Sequence, residues 1–209
     1  MLKLDLSKQL KSYFSASSKP AIIDIAAAQY LSICGKGDPS ETAFSKAIEA
    51  LYSTAYAIKF AYKAAGSDFV VSKLEGLWWF DENKYAGKSP SNAALEVPRS
   101  EWQYRLLIML PSFVTADAVN IAQQTVGNKK GIQLAKTCEL FEMTEGKVVQ
   151  MMHVGPFATE PETIQQIMLF CEKEKLGKNG HHHEIYLSDF RKTEPAKLKT
   201  ILREPVRPL

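Results

Sequence analysis

Two stretches of the chain repeat one order of apolar and polar positions. Gln29 to Cys34 (QYLSIC) is a short strand-like run that leads into GKGDPSE. There Asp38 fits a helix N-cap, Pro39 the first helical position and Glu41 the capping box. Behind it Phe44, Ile48, Leu51, Ala55, Ile58 and Tyr62 recur at helical spacing as far as Gly66, a residue suited to a stop. Val148 to Val154 (VVQMMHV) is again strand-like and leads into GPFATEPE, with Thr159 as N-cap, Pro161 in the first turn and Glu162 closing the box. The helix that follows is expected to run to Gly177. Each half then carries an apolar strand containing a glutamate, KLEGLWWFD around Glu75 and HHEIYLSDF around Glu184, and a last run into proline, Tyr104 to Pro111 and Leu198 to Pro205.

Strand, glycine loop, capped helix, strand, strand therefore occurs twice, about 110 to 120 residues apart, as expected of a duplicated unit. Antiparallel strands with one helix per unit define an α+β class, with the helices on one face of the sheets and a ligand cleft on the other. The expected organisation is an N-terminal arm over residues 1–19 and a single domain over 20–207. Its two repeats fall at about 20–112 and 135–207, joined by a helical connection at 115–130. The run Cys138 to Met143 is either an insert or the first strand of the second unit.

Composition narrows the function classes. The 209 residues are 45% hydrophobic and 23% charged, ordinary for a globular domain. The net charge of +3 is spread out, and the basic stretch from Arg191 to Arg207 is interrupted by Glu194 and Glu204, which reads as a solvated face and not a direct nucleic-acid surface. Cys34, Cys138 and Cys171 are odd in number and lack CxxC spacing, so neither a disulfide framework nor a zinc cluster is expected and the compartment is reducing. The start, MLKLDLSKQLKSYF, has no signal-peptide core, and no apolar run reaches the roughly 18 residues of a membrane helix. The expectation is a cytoplasmic protein without membrane contact, monomeric or homodimeric.

The candidate chemistry lies on the strand around Glu184. Side chains alternate along a strand, so His182, Glu184, Tyr186 and Ser188 share one face and His183, Ile185 and Leu187 the other. Ile185 and Leu187 are expected to receive a helix, which turns Glu184 and Tyr186 to an open concave side. One of Trp78 and Trp79 must face that side. Trp79 is the expected wall, with Trp102 and Tyr104 from EWQYRLLIML and with Phe157 and His182 as further substrate contacts. An aromatic box around a carboxylate suits flat, apolar or cationic ligands. The competing assignment for Glu184 is an ion pair with Arg105, Arg191 or Arg203, and Glu75 is expected to be exposed and dispensable. His181 and His183 share a face but lack a third ligand, so no metal is expected. The loops carry neither phosphate-binding glycine motif and no GxSxG elbow is present, so no cofactor is expected.

HVGPF, a capped helix, HHEIYLSD and KLKTILREPV together resemble the C-terminal half of the GyrI-like small-molecule-binding family. With VSKLEGLWWF and VPRSEWQYRLLIMLPSFVT, the layout over about residues 20–207 is similar to the family's stand-alone branch. The resemblance implies two strand-helix-strand-strand modules around a pseudo-twofold cleft with one buried glutamate, at the position of Glu184. It also implies either binding of cationic or aromatic drugs or hydrolysis of cyclopropane-bearing, DNA-alkylating natural products. In the hydrolytic case Glu184 would deprotonate water, Tyr186 or Tyr104 would donate to the developing phenolate, and Trp79 and Trp102 would stack on the substrate. The first twenty residues are too short for a helix-turn-helix reader, which weakens a transcriptional role. The other classes left open are a non-catalytic drug-sequestering protein and a regulatory module acting with a separate partner.

Overall fold

In the computed structural model, which describes residues 3–85 and 96–209, the repeated pattern becomes two copies of one arrangement. After a short α1 (Leu6–Gln9) in the N-terminal arm, the first copy comprises β1 (Ala21–Ile25), β2 (Ala28–Lys36), α2 (Thr42–Ala64), β3 (Leu74–Trp79) and β4 (Gln103–Leu110). α3 (Ala116–Lys129) leads to the second copy. This holds β5 (Glu139–Met143), β6 (Gly146–Val154), α4 (Glu160–Lys173), β8 (His182–Tyr186) and β9 (Lys199–Pro208), with a short β7 (Leu176–Lys178) before β8. The α+β class is as expected: nine strands, all pairs antiparallel, and four helices among the described residues. The run Cys138 to Met143 supplies β5, the counterpart of β1.

Strand register closes the sheet. Only Ala26 and Ala27 separate β1 from β2, and only Thr144 and Glu145 separate β5 from β6. β1 pairs with β6 from Ala21↔Gln150 to Ile25↔Gly146, and β2 pairs with β5 from Ala28↔Met143 to Ser32↔Glu139, all on one continuous antiparallel register. Residues 21–36 thus act as one bent strand and residues 139–154 as another. Their mutual pairing joins the two ends of the series β6-β9-β8-β3-β4-β2 into a barrel.

The two faces of the sheet are consequently an outside and an inside. Outside, α2 lays Phe44, Ile48, Leu51, Ala55 and Ile58 on Leu31, Ile33, Trp78, Leu106 and Ile108. α4 lays Ile164 and Ile167 on Val149, Met151, Leu202 and Val206. Inside, Tyr30, Leu77, Leu107, Met109, Val148, Ile185 and Ile201 meet one another, and Leu6, Tyr13 and Phe14 of the arm plug one end. This corrects the expected layering. Ile185 packs inside the barrel and receives neither α2 nor α4, so Glu184 and Tyr186 lie on the same side as those two helices.

The interior also holds charge. Arg203, fully buried, donates to Glu145 (2.8 Å), to Gln150 (3.1 and 2.9 Å) and to the Tyr13 carbonyl (3.0 Å). His183 joins Glu145 (2.9 Å) to Glu75 (3.0 Å), and the Tyr13 hydroxyl donates to Glu75 (2.5 Å). Glu75, expected to be exposed, is 0% exposed. It points inward because it shares the face of Leu77; Tyr13 and His183 both bond its Oε2, and its Oε1 has no hydrogen-bond partner among the described residues. A cavity of about 200 Å³ opens at the other end of the barrel, lined by Leu77, Phe141, Glu145, His181 and Pro205 among others.

Two helix ends differ from expectation. Asp38 accepts from Ser40 N–H and Oγ in a turn before the helix, which starts at Thr42. α4 stops at Lys173 and not Gly177, because Lys175 takes a left-handed conformation (φ 55°) and Leu176 to Lys178 join β9 as β7.

Candidate functional site

The middle of the outer face is the β3/β8 pair, where Gly76 lies opposite Glu184 and Trp78 opposite His182. Aligning the two copies by strand register puts Gly76 in the place of Glu184, Trp78 in that of Tyr186 and Tyr104 in that of Thr200. The pseudo-twofold axis runs between Gly76 and Glu184. One half of the groove between α2 and α4 is therefore aromatic and the other polar.

The two halves meet in a chain of hydrogen bonds: Trp78 Nε1 donates to the Tyr186 hydroxyl (3.1 Å), which donates to Glu184 Oε2 (2.5 Å). Gly76 makes the space for it. A Cβ there would lie 2.8 Å from Trp78 Nε1 and 3.2 Å from the Tyr186 hydroxyl, inside ordinary contact. Burial and the charge of Glu184 raise the Tyr186 pKa well above the usual phenol value, so it stays a donor. Glu184 does not pair with Arg105, Arg191 or Arg203, which bond Glu139, Asp189 and Glu145 instead.

Around Glu184 the polar half holds His182, Glu204, Glu160 and Thr200. His182 Nδ1 meets Glu204 Oε1 at 2.5 Å, and its Nε2 lies 3.3 Å from Glu184 Oε1, an ion-pair contact without hydrogen-bond alignment. Burial disfavours charge on His182, but Glu204 and Glu184 outweigh it and hold its pKa well above the ordinary value. Glu160, in the first turn of α4, is 7% exposed, and its Oε1 has no hydrogen-bond partner among the described residues. Burial first, then the charge of Glu184, raise its pKa well above the usual carboxyl value.

The aromatic half is built from Trp78, Phe44 and Tyr104, with centroids 5.0 to 5.7 Å apart. Trp102 stands edge-on to Trp78 (6.5 Å) and to Phe80 (5.4 Å). Over Tyr186, Phe157 (6.0 Å) and Phe190 (6.2 Å) stand edge-on, and Phe157 is 41% exposed.

Of the residues singled out in the sequence, Glu184, Tyr186, His182 and Phe157 come together, and Trp102 lies on the wall behind Trp78. Tyr104 is in the wall but leans away from β8, with its hydroxyl end over Gly35 of β2. Trp79 is the correction. It lies on the opposite face, stacked on His181 at 4.6 Å, and Trp78 takes the wall. The error follows from turning the sheet the wrong way round: helices and Glu184 share a face, so the even-numbered residues of β3 face the groove. Phe44, Phe190, Glu160 and Glu204 were not read from the sequence. Alternation along β9 from Leu202 to Val206 carried a signal for Glu204, whereas a glutamate in a helical first turn is ordinarily a solvated N-terminal anion and gave none for Glu160.

Comparison with known proteins agrees with this arrangement. The sequence profile of the family described as GyrI-like small molecule binding domain matches residues 18–207. A crystal structure of an uncharacterized conserved protein from Listeria innocua is 36% identical, covers 98% of this chain and 100% of its own, and superposes with a TM-score of 0.86. A Listeria innocua protein described as a hydrolase is likewise 36% identical, with the same coverage and a TM-score of 0.83. The C-terminal domain of EcmrR shares the fold at 10% identity, covering 91% of this chain and 98% of its own, with a TM-score of 0.58. Among curated proteins none is similar enough to match. No helix among the described residues is long and apolar enough to cross a membrane.

Proposed function

The chain belongs to the GyrI-like small-molecule-binding family, and from that premise we propose that its outer groove takes flat aromatic or cationic hydrophobic molecules and hydrolyses those that carry an activated cyclopropane. The observation that carries this reading is the chain Trp78–Tyr186–Glu184 in a groove whose other wall is aromatic. The description of a 36% identical neighbour as a hydrolase supports a catalytic role.

A cyclopropane fused to a dienone opens when water attacks its methylene carbon, the strained C–C bond breaks and the carbonyl oxygen becomes a phenol. Glu184 is the base for that water. Its Oε2 accepts from Tyr186 and its Oε1 lies 3.3 Å from His182 Nε2, so the carboxylate is held from both sides. Trp78, Phe44 and Tyr104 are buried and keep out bulk solvent, while half-buried Trp102 and exposed Phe157 are the rings available to a planar ring system. Tyr186 acts through Glu184, as its own proton is directed there.

A non-catalytic drug-sequestering role needs the same groove. The edge-on triad Phe157, Tyr186 and Phe190 beside a carboxylate favours it as a second reading, since ring faces and a negative charge both attract organic cations.

The test is incubation of the protein and of Glu184→Gln with a duocarmycin-type cyclopropane, with water adducts followed by mass spectrometry. Loss of a general base predicts a rate about 10²-fold to 10⁴-fold lower in the variant. Tight binding by the unmodified protein without water addition would replace the hydrolase reading by the sequestering one.

A further inference from the structure

Opening the ring requires an acid as well as a base. Tyr186 points its proton at Glu184, and Tyr104 turns its hydroxyl end toward Gly35, so neither faces a substrate oxygen beside Glu184. Glu160 remains. Its side chain enters the groove from the first turn of α4, is almost wholly buried, and leaves Oε1 unbonded among the described residues. A buried polar atom without a partner is uncommon in a native fold, and beside Glu184 it leaves room for a hydrogen bond to a ligand atom.

We propose that Glu160 is a second catalytic carboxyl, the acid that protonates the substrate's carbonyl oxygen while Glu184 takes a proton from the attacking water; this assignment rests on the hydrolase reading above.

The groups that face Glu160 define its state. β8 presents Glu184, His182 and Tyr186, and β9 presents Thr200. On β6, His153 is occupied with Thr163 and the Pro156 carbonyl. Burial and the Glu184 charge act together against ionisation of Glu160, while His182 and Thr200 act weakly for it. The helix N-terminus also favours the anion, but too weakly to reverse the burial of a carboxyl beside a second one. Two carboxyl groups in one desolvated site thus divide into an acid and a base.

The step balances without any co-reactant. Water oxygen bonds to the methylene carbon, and the C–C bond to the ring breaks. Its electron pair passes through the dienone to the oxygen, which takes the Glu160 proton and becomes the phenol. The water proton goes to Glu184 and returns to Glu160 through solvent, so each turnover adds one water.

The same asymmetry explains why the first copy contributes no acid. Register alignment of the copies sets Thr42, at the start of α2, against Glu160, and Gly76 against Glu184. The reacting pair belongs wholly to the second copy, and the first copy supplies the surface on which the ring system lies.

The experiment compares Glu160→Gln with the unmodified protein in two readouts. In the infrared, the unmodified protein is expected to show the C=O band of a protonated carboxyl near neutral pH, and the variant to lack it. In turnover of the duocarmycin-type probe, the variant is expected to lose about 10²-fold or more in kcat and the fall in rate at high pH, while its affinity for the ring-opened product stays within about threefold. A neutral amide replacing a neutral acid keeps the fold, which thermal melting checks. Absence of the band, or turnover by the variant at the unmodified rate, overturns the assignment alone. Absence of turnover in the unmodified protein overturns the hydrolase reading and the acid role with it.

Discussion

Replacing Arg203 by methionine tests the barrel interior. The arginine is fully buried and makes hydrogen bonds to Glu145, Gln150 and the Tyr13 carbonyl, with its guanidinium 4.4 Å from the Tyr13 ring centre. Methionine fills much of the volume but, among the described residues, leaves Glu145 with His183 as its only charged partner and Glu75 with no cation beyond that same histidine. Breaking a buried pair from one side costs about 3–5 kcal/mol. For a chain of this length each kcal/mol moves the melting temperature by about 2–4 °C, so Arg203→Met is expected to melt about 6–20 °C lower. Glu145→Gln removes the other charge. Because the two groups touch, the double variant is expected to be more stable than the sum of the single losses, by about 0.5–3 kcal/mol. Urea unfolding followed by circular dichroism measures all three. A single-variant loss below about 1 kcal/mol, or strict additivity in the double variant, would refute the reasoning that this network is one interdependent unit.

Further expectations follow from the same geometry. Gly76→Ala places a methyl group against Trp78 Nε1 and the Tyr186 hydroxyl, and is expected to weaken binding of an aromatic cation by about tenfold or more in a fluorescence titration and, as overpacking of a buried site, to cost about 1–3 kcal/mol in stability. Tyr13→Phe removes one donor to Glu75 and the hydrogen bond with the Tyr30 hydroxyl. A loss of about 1–3 kcal/mol and faster proteolysis within the arm are expected, and an unchanged proteolysis rate would show that Tyr13 does not hold it. Burial opposes ionisation of Glu145, but His183 and Arg203 outweigh it and lower its pKa from 4.5 to about 2. The stability it contributes is present above pH 4.5 and lost as pH falls through about 2, so urea midpoints should drop over that window and Glu145→Gln should flatten the drop. Glu145 and Glu75 outweigh the burial of His183 and raise its pKa. Its contribution is therefore present below the ordinary histidine value and lost as pH rises through the raised one, which a midpoint scan at alkaline pH reads.

Local pattern carried the element types. Helical spacing from Phe44 to Ile58, the prolines after Leu110 and near the end of β9, and the repeated loops are all consequences of short-range geometry, and the strands and helices lie where those patterns fall. Closure of the sheet was not legible, because it depends on β1 pairing with β6 and β2 with β5 across more than half of the chain. Without closure the inward side of Ile185 looks like a surface awaiting a helix, and that single inversion misplaced Trp79 and left Glu75 outside. Glu184 and Tyr186 survived the inversion because they are bonded to each other on one strand, whichever way it turns. Phe190 and Glu160 reach the groove through the path of a loop and the approach of a helix, which no periodicity encodes.

Position 76 faces position 184 across the pseudo-twofold axis. In a dimer of identical halves those two places would hold the same residue. Two glutamates would put like charges side by side at the centre of the groove, and two glycines would leave it without any charge. Covalent linkage of the halves removes that constraint, so that a carboxylate can stand against an empty place and use the room above it. A single polypeptide with two divergent halves thereby reaches an arrangement of side chains that a self-associating half-length chain is barred from by its own symmetry.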